Sequence, residues 1–280
     1  MAGIYDEPEF YAAACAYRDV PSEANSLLRW WRQHRGQPDP AEQRPHSVLE
    51  LAAGPAEHAR ELAARGIDAT ALDINPAMCG WAQARAAESG FRLTVVEADM
   101  RDFSIPAAGQ TGPGAPRPAQ FELAITMLNS VCHLLTLDDL VAHLTAVASH
   151  LAQGGLYIVE LAHPADCLSG DSRTSSDWVT DLDGGSVTVR WGGARDRIDP
   201  VTQVTREHVA VTFRKQDGSV RTVTDVVPNR FWTATEVDAA IRLAGGFTVA
   251  ARYGDFDGDV PLNDPAAWRM IFVLRRCHAG

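Results

Sequence analysis

The sequence predicts an α/β fold, because short apolar strands alternate with amphipathic helices along most of its 280 residues. Alternation of this kind is typical of a parallel sheet with right-handed crossovers. From residue 163 to residue 230 the pattern becomes β-rich, and one helix and two strands then follow. We therefore expect one α/β domain, residues 46–162 and 231–280, with an antiparallel insertion, residues 163–230, before its last helix. Residues 1–45 precede this domain and contain one helix.

The predicted strands are short apolar runs bounded by turn residues. In the α/β domain they cover 47–51, 68–73, 91–99, 121–128 and 156–161, followed by 248–254 and 268–276. The first, SVLEL, is apolar on both faces, as a strand inside a parallel sheet should be. In the insertion, SVTVRW, TQVTREHVAVTF and SVRTVTDVV predict about three antiparallel strands.

Capping residues mark the ends of the predicted helices. The first helix is expected at 22–35, before the breaker-rich linker 36–45. The others are expected from Pro55 to a stop at Gly66, from Pro76 after the cap Asn75 to Gly90, from the cap Thr136 to Gly154 and Gly155, and after the capping box of Thr233 and Glu236. Residues 106–120 are rich in Pro, Gly and Ala and are taken as a surface loop.

The composition limits the classes of partner. The net charge is −11, so a nucleic-acid partner is not expected. The basic stretch RWWRQHR, residues 29–35, is interpreted as a solvated helix face that Trp30 or Trp31 anchors to the core. No apolar run approaches the roughly 20 residues that cross a bilayer, and the N-terminus lacks the pattern of a secretory signal. We therefore expect a cytoplasmic protein, monomeric or homodimeric, without a membrane partner.

Cysteine and histidine spacing gives no support to a metal site. The five cysteines are widely separated and form no CxxC, and the nine histidines form no HExxH. His163 and Cys167 are the only close pair of these residue types, and a pair is half a site. Neither a disulfide scaffold nor a bound metal is expected.

The turn after the first predicted strand, AAGPA at 52–56, indicates a ligand site. The chain passes close to a ligand at such a turn, and Gly54 and Ala52 keep its side chains small. Amides at the start of the following helix favour an anionic group. The second and third glycines of a GxGxxG fingerprint are absent, so a ligand with a carboxylate and no pyrophosphate fits better than a dinucleotide.

Acidic residues end the first three predicted strands. Glu50 lies near the end of the first, Asp73 ends the second and can accept hydrogen bonds from both hydroxyls of a ribose, and Asp99 ends the third. Asp99 is expected to hold the amino group of an adenine, with Met100 packed on the ring. Any one of these acids alone is more readily a surface carboxylate, but the three together at strand ends predict one crevice at the carboxyl edge of the sheet.

Four segments carry a family resemblance: VLELAAGPAEHARELAARGIDATALDINPAM, VVEADMRDF, AITMLNSVCHL and HLAQGGLYIVEL. In order and spacing they resemble the signature segments of class I S-adenosylmethionine-dependent methyltransferases. Within that superfamily the chain looks most like the small-molecule N-methyltransferases that dimethylate nucleotide-linked amino sugars, which share DMRDF and a β-rich insertion. The resemblance implies a Rossmann-like, seven-stranded sheet, S-adenosyl-L-methionine as cofactor and S-adenosyl-L-homocysteine as product.

The resemblance also implies roles for individual residues. The methionine part of the cofactor would be flanked by Glu50, Ala52 and Gly54, and its ribose would be held by Asp73. The adenine would lie beside Ile74, Asp99 and Met100. The near side of the cofactor would be lined by Met127, Leu128 and Asn129. The turn departs from the family pattern, which has glycine at the position of Ala56.

The N-terminal segment would close over the cofactor as a lid. Tyr5 and Tyr17 would offer it a hydroxyl or a ring face, and Arg18 would meet its carboxylate. Simple aromatic packing of a terminal arm is the alternative for each tyrosine. On the acceptor side the expected residues are Tyr11, Trp178, Trp191 and Arg230, although alternate positions on a small sheet can equally face solvent.

His133 is the candidate catalytic residue. It follows the fourth predicted strand in NSVCHL, and the loop at that place abuts the transferred methyl group in the superfamily. Its ordinary pKa, near 6.5, suits proton transfer. A histidine packed at a helix entry is an equally good interpretation.

The leading hypothesis is therefore methyl transfer to a small-molecule acceptor, with an amine favoured. O-methylation of a hydroxyl or carboxylate is one alternative, and a non-catalytic S-adenosylmethionine-binding protein is another. A dehydrogenase is a weaker hypothesis, because the glycine fingerprint is absent.

Overall fold

The structure is a computed structural model, and it describes residues 3–36, 42–107, 118–168, 176–258 and 260–277. The predicted loop at 106–120 falls largely outside these residues. In the described part of the chain, no helix is both long enough and apolar enough to cross a membrane.

A seven-stranded sheet forms the centre of the molecule, in the order β10-β11-β5-β4-β1-β2-β3. Its strands are β1 Ser47–Leu51, β2 Asp68–Asp73, β3 Leu93–Glu97, β4 Phe121–Thr126, β5 Leu151–Ala162, β10 Phe247–Tyr253 and β11 Arg269–Arg276. The pairs from β3 to β5 are parallel, and β11 is antiparallel to both β5 and β10. The predicted Rossmann-like, seven-stranded α/β fold is confirmed.

The carboxyl ends of β1, β2, β3 and β4 meet at one edge because these strands run parallel and in register. The strand β1 lies between β2 and β4, and its residues from Val48 to Leu51 are buried. This burial explains its continuous apolar pattern and fixes the position of the turn that follows it.

The helices are α1 Pro8–Ala14, α2 Val20–His34, α3 Glu57–Ala64, α4 Pro76–Glu88, α5 Leu137–His150, α6 Ala165–Leu168 and α7 Ala234–Ala244. The caps of α4, α5 and α7 lie where the sequence predicts them. Asn75 Oδ1 accepts from the amides of Ala77 and Met78, and Thr136 and Thr233 each form a capping box.

Two predicted helix features are wrong, and one helix was missed. Pro55 does not lie in a first helical turn, because Ala56 takes a left-handed conformation and α3 begins only at Glu57. The helix α5 ends at His150, since Leu151 already pairs with Phe121 of β4 and β5 therefore starts before the glycines. The helix α1 was not predicted, as its seven residues are too few for a clear helical period.

A second, four-stranded antiparallel sheet follows, in the order β6-β7-β8-β9. Its strands are β6 Ser176–Leu182, β7 Gly185–Trp191, β8 Val204–Lys215 and β9 Val220–Arg230. The expected three strands correspond to β7, β8 and β9. The strand β6 is additional: it is a half-exposed edge strand with a weak apolar pattern, SDWVTDL, and was not predicted.

The N-terminal segment packs on this second sheet and makes a core of its own with it. Ile4, Phe10 and Ala14 are buried against valines of β7, β8 and β9. The amide of Ile4 donates to Asp225 of β9 over 2.9 Å. The segment thereby lies beside both sheets, where it can cover the strand ends.

Candidate active site

Two cavities adjoin at the carboxyl edge of the central sheet. One, of about 370 Å³, lies over the ends of β1, β2 and β3, and the other, of about 590 Å³, lies between β4, β5, the N-terminal segment and the second sheet. Both are lined by Tyr5, Tyr11, Ser130 and His133. These four residues therefore form the boundary across which two ligands would meet. We call the smaller space the strand-end cavity and the larger one the second-sheet cavity.

Asp73 is held rigidly at the wall of the strand-end cavity. Its Oδ2 accepts from the amide of Gly54 over 2.7 Å, and its Oδ1 accepts from the amide of Asn75 over 2.8 Å. Burial raises the pKa of Asp73, although these amide hydrogen bonds oppose the shift. Each oxygen has lone-pair capacity beyond one amide, so a fixed carboxylate faces the cavity and can accept from a diol.

The turn after β1 places three residues in the left-handed region: Ala52, Gly54 and Ala56, with φ of 48°, 52° and 56°. A Cβ on Gly54 would lie 3.7 Å from the Tyr11 ring, which is an ordinary contact distance, so the left-handed φ and not the available space favours glycine there. Left-handed alanines are strained, and strain of this kind persists where the surroundings fix the backbone. The two alanines thus keep a turn that glycines would form at lower cost, and both Ala52 and Gly54 line the cavity.

Asp99 lies on the strand-end cavity together with Arg101, which was not predicted. The Arg101 guanidinium binds both Asp99 oxygens and reaches Asp139 over 2.9 Å. Hydrogen bonds from Arg101 lower the pKa of Asp99. Asp99 is therefore an ionised acceptor that a neighbouring cation already shares. The motif ADMRDF contains Arg101 two residues after Asp99, which was the available signal.

Apolar residues complete this wall. Ile74 is 64% exposed and Met100 is buried, and both line the cavity, where they offer apolar surface to a planar ring. The Met100 carbonyl is held by the ring of His143, whose Nδ1 lies 2.9 Å from it. Burial lowers the pKa of His143 to about 4, so the ring is neutral and its N–H can donate to this carbonyl.

Three residues predicted for the cofactor line neither cavity. Glu50 is buried and accepts from the amide of Ala59 over 2.7 Å, which ties β1 to α3. Met127 is a core residue that packs beneath the strand ends. The Arg18 guanidinium is engaged by two carboxylates, with Nη1 2.8 Å from Glu160 Oε1 and Nε bound to Glu23. The Arg18 charge is therefore neutralised by carboxylates of the protein and does not bind a ligand in the cavity.

Arg18 belongs to a buried chain of charges. Glu160 of β5, Arg18, Glu23 of α2, His58 of α3 and Glu50 of β1 follow one another through ion-pair contacts. Burial lowers the pKa of His58, but hydrogen bonds to Glu23 and Glu50 outweigh this and raise it to about 9. This chain ties the junction of α1 and α2 to the ends of β1 and β5.

A short turn after β4 presents His133 to both cavities. Leu128 and Asn129 are left-handed, with φ of 56° and 60°, and the chain then forms a 3₁₀ turn, Ser130–His133. The Leu128 amide donates to Glu160 over 2.9 Å, and Asn129 Oδ1 accepts from the Ala162 amide over 2.9 Å. The end of β5 therefore fixes the conformation that directs His133.

His133 contacts Tyr5 of the lid segment. Its Nε2 lies 3.1 Å from the Tyr5 hydroxyl, and the ring also hydrogen-bonds the Pro228 carbonyl, which can only accept. The ring is open to the cavities but surrounded by protein, and burial lowers its pKa. Burial also raises the pKa of Tyr5. The neutral imidazole gives its one N–H to Pro228, so Nε2 accepts from the tyrosine.

The second-sheet cavity has aromatic walls. Tyr17, Trp178 and Trp191 line it, and the rings of Tyr17 and Trp178 are 5.7 Å apart. Tyr17, Leu128 and Asn129 were predicted to contact the cofactor. All three line the second-sheet cavity, and none of them lines the strand-end cavity.

Arg230 lies outside both cavities, in contrast to its predicted acceptor role. Its guanidinium donates to the Leu135 carbonyl and to Glu236 over 3.1 and 3.0 Å, and it stacks on Trp232. Residues that were not predicted also line the second-sheet cavity, among them Glu207 of β8 and Asn229 of β9. A single polar residue within an alternating β pattern does not indicate whether its side chain will line a cavity.

Comparison with known proteins agrees with this geometry. Residues 48–155 match a family model described as a methyltransferase domain. A dTDP-3-amino-3,4,6-trideoxy-alpha-D-glucopyranose N,N-dimethyltransferase of Streptomyces venezuelae is 27% identical over 204 residues, which are 71% of this chain and 74% of that relative.

The chain is an S-adenosylmethionine-dependent methyltransferase.

Solved structures show the same fold. An S-adenosylmethionine-dependent methyltransferase from Clostridium acetobutylicum ATCC 824 has a TM-score of 0.74 at 13% identity, covering 95% of this chain and 96% of that one. S-adenosylmethionine-bound CalS10, an amino pentose methyltransferase from Micromonospora echinaspora, has a TM-score of 0.66 at 23% identity, covering 94% and 95%. The predicted family resemblance, enzyme class and cofactor are confirmed.

The strand-end cavity of the methyltransferase fits S-adenosylmethionine. Its volume lies within the range of about 300 to 1,000 Å³ that is usual for small-ligand sites. Asp73 suits a ribose diol, and Ile74 and Met100 offer apolar contacts to an adenine. Gly54 adds no side chain of its own to the cavity wall, where the Tyr11 ring lies beside it. The cavity that fits the cofactor is called the cofactor cavity below, and the second-sheet cavity is called the acceptor cavity.

Proposed function

We propose that this methyltransferase transfers a methyl group to an amine of a small-molecule acceptor bound in the acceptor cavity. The observation that carries the proposal is the shared boundary: His133 and Tyr5 line both cavities, so an acceptor atom beside them can face the cofactor. The printed names of the S. venezuelae relative and of CalS10 both refer to amino sugars, which favours an amino sugar as the acceptor class.

In the proposed complex, Asp73 accepts from the ribose hydroxyls, while Ile74 and Met100 enclose the adenine and Asp99 accepts from its amino group. The turn residues Ala52 and Gly54 lie along the methionine part of the cofactor. When bound, S-adenosylmethionine supplies an electrophilic methyl group and leaves as S-adenosylhomocysteine. Tyr5 and Tyr11 close the boundary above it and exclude water from the line of transfer.

His133 is the proposed proton acceptor. Because its pKa is lowered, the imidazole is neutral at pH 7, and its Nε2 already accepts a hydrogen bond from Tyr5. The ammonium form of an acceptor that replaces the Tyr5 hydroxyl at Nε2 would pass one proton to His133, and the nitrogen lone pair that this frees would then attack the methyl group.

The lowered pKa also favours an amine over a hydroxyl. A neutral histidine of low basicity can take a proton from an ammonium group whose pKa is not far above neutral, but it is a poor base for an alcohol. O-methylation of a carboxylate would place an anion against the acidic groups of this cavity, Glu207 among them.

Cellular context belongs to the same proposal. We expect a cytoplasmic enzyme of specialised metabolism, monomeric or homodimeric. The net charge of −11 supports the absence of a nucleic-acid partner.

A matched pair of acceptors tests the proposal: methyl 3-amino-3-deoxyglucoside and methyl glucoside, each incubated with methyl-labelled S-adenosylmethionine and enzyme. We expect label on the amino sugar, with a mass increase of one or two methyl groups, and none on the glucoside. Label on the glucoside alone would show that the enzyme methylates oxygen. Cofactor binding without transfer to any amine tested would contradict the proposed acceptor.

A further inference from the structure

The acceptor cavity is larger than one amino sugar requires. It measures about 590 Å³, against about 370 Å³ for the cavity that fits S-adenosylmethionine. An amino sugar ring is a smaller molecule than that cofactor, so a ring whose amine lies beside His133 would fill only the transfer end of the acceptor cavity. Ligand pockets usually bury most of the surface of the molecule that they bind. The volume therefore indicates an acceptor with a second part beyond the sugar ring.

Aromatic side chains line the part of the cavity that lies beyond its boundary with the cofactor. Four of them line the acceptor cavity and do not line the cofactor cavity: Tyr17, Trp178, Trp191 and Phe231. Tyr17 is 49% exposed. A side chain that is exposed and still lines a cavity lies where the cavity opens to solvent. Tyr17 therefore marks the mouth of the acceptor cavity, whereas His133 marks its transfer end.

Tyr17 and Trp178 form an aromatic corner at this mouth. Their ring centroids are 5.7 Å apart, and the ring planes are inclined by 70°. The Trp178 indole is held in place, because its Nε1 donates to the Ala14 carbonyl over 2.9 Å. Tyr17 lies in the turn between α1 and α2, and the next residue, Arg18, is bound to the buried Glu160. Both rings are thus positioned before an acceptor binds, which lowers the entropic cost of binding.

An aromatic corner of this kind suits a flat apolar group. A ligand ring that covers the exposed face of Tyr17 removes apolar surface from water, which is favourable in proportion to the area. Aromatic rings favour edge-to-face and offset contacts, and a flat ring placed against one wall of the corner meets the other wall at such an angle. Recognition of this type depends on ring faces and not on charge, so it suits a neutral glycoside and a phosphate-linked sugar equally.

We propose that the acceptor carries, beside its amine-bearing ring, a flat aromatic or apolar group that binds between Tyr17 and Trp178. This rests on the proposed amine methylation and specifies the second part of the acceptor. Two sources supply such a group: an aryl aglycone attached to the sugar, or the base of a nucleotide-linked sugar.

Two matched pairs of acceptors test the proposal and distinguish the sources. The first pair is phenyl and methyl 3-amino-3-deoxyglucoside, and the second is dTDP-3-amino-3-deoxyglucose and 3-amino-3-deoxyglucose α-1-phosphate. Binding to enzyme saturated with S-adenosylhomocysteine is measured by calorimetry, and methyl transfer by labelled cofactor. We expect the member with the flat ring to bind about tenfold or more tightly in at least one pair. A preference in the first pair alone assigns the mouth to an aglycone, and a preference in the second alone assigns it to a nucleobase.

The matched variants are Tyr17→Ala, Tyr17→Phe and Phe91→Ala. Tyr17→Ala removes one wall of the corner, so the preference should fall by about threefold or more, while S-adenosylhomocysteine affinity stays within about twofold. Tyr17→Phe keeps the ring and should keep the preference. Phe91 is 37% exposed and lies between α4 and β3, outside both cavities. Phe91→Ala therefore removes an exposed ring elsewhere and should match the wild type.

Binding of both members within about twofold, in both pairs, by the wild-type enzyme overturns the inference while leaving amine methylation intact, and it requires no variant to fold. A folded Tyr17→Ala enzyme that keeps the full wild-type preference overturns it as well. If labelled methyl reaches none of the four amines and only a hydroxyl acceptor is methylated, the proposed function fails together with the inference.

Discussion

The two cavities of this methyltransferase are built in different ways. In the cofactor cavity, backbone amides fix a carboxylate, because the amides of Gly54 and Asn75 donate to Asp73. In the acceptor cavity, side chains fix a carboxylate, because those of Trp191 and Asn229 donate to Glu207. In the proposed complex, cofactor binding thus depends on the path of the chain at the strand ends, whereas acceptor binding depends on a few side chains of the second sheet. We therefore expect single substitutions in the second sheet to change acceptor specificity and to leave the cofactor cavity intact.

The N-terminal segment is common to both cavities. Tyr5 and Tyr11 line each of them, and the buried charges from Arg18 to His58 anchor the segment to the central sheet. Variants that change cofactor binding, acceptor binding or the anchoring of the N-terminal segment one at a time test whether the two cavities bind their ligands independently.

The largest effect is expected from His133→Ala. Removal of a positioned proton acceptor should lower kcat about 100-fold or more, with S-adenosylmethionine affinity unchanged within about twofold. Because the His133 pKa is lowered, the wild-type rate should fall on the acid side only below pH about 6.5, and this fall should be missing in the variant. The exposed His208 of the second sheet provides the control, His208→Ala. A wild-type rate for His133→Ala would exclude His133 from proton transfer.

The anchor should make folding stability depend on pH. The folded state holds the His58 proton up to about pH 9, whereas an unfolded histidine loses it near 6.5. The stabilisation is therefore fully present below pH about 6.5 and is lost as the pH rises through 9, by up to the order of 3 kcal/mol. Urea midpoints at pH 6.5 and 9.5 measure it. His58→Gln should flatten this dependence, and His46→Gln, at an exposed ion pair, should not. An equal slope in all three proteins would show that His58 is not charged.

Asp73→Ala should act on the cofactor cavity alone. The loss of a charged acceptor for the ribose should weaken S-adenosylmethionine binding about tenfold or more in a calorimetric titration. Asp68→Ala, at the exposed opposite end of β2, is the matched control. Acceptor affinity in the presence of S-adenosylhomocysteine should remain close to that of the wild type once the cofactor cavity is saturated.

The smallest effect is expected from Arg101→Ala. Arg101 is half-exposed, so the loss of its ion pairs to Asp99 and Asp139 should cost less than about 1 kcal/mol of folding stability. Cofactor affinity should change by less than about threefold, since Asp99 stays ionised at pH 7 without Arg101. A tenfold loss in the titration would instead make Arg101 a cofactor ligand.

The sequence is more informative about the cofactor cavity than about the acceptor cavity, for a physical reason. Asp73 is the last residue of β2, and Gly54 and Asp99 lie shortly after β1 and β3. Parallel strands bring their ends together, so position along the chain indicates position in space. Glu207 and Asn229 meet only through the antiparallel pairing of β8 and β9. Their alternation with apolar residues predicts strands but does not say which polar residue is enclosed.

Arginines were the least predictable residues. Arg18 and Arg230 were expected at ligands, and both instead bind carboxylates of the protein, which lie far from them in sequence or across a helix cap. The sequence contains the charge but not its partner. At the turn, by contrast, the conformation was kept although the residue type changed: Ala52 and Ala56 take the left-handed conformations that glycines would normally provide.

The central claim is that the cofactor lies across the ends of the central strands with its ribose on Asp73. A crystal structure of the enzyme with S-adenosylhomocysteine tests it most directly. We expect both ribose hydroxyls within about 3 Å of the Asp73 oxygens, with the adenine between Ile74 and Met100. A ribose bound elsewhere, with Asp73 still held only by its two backbone amides, would contradict the claim.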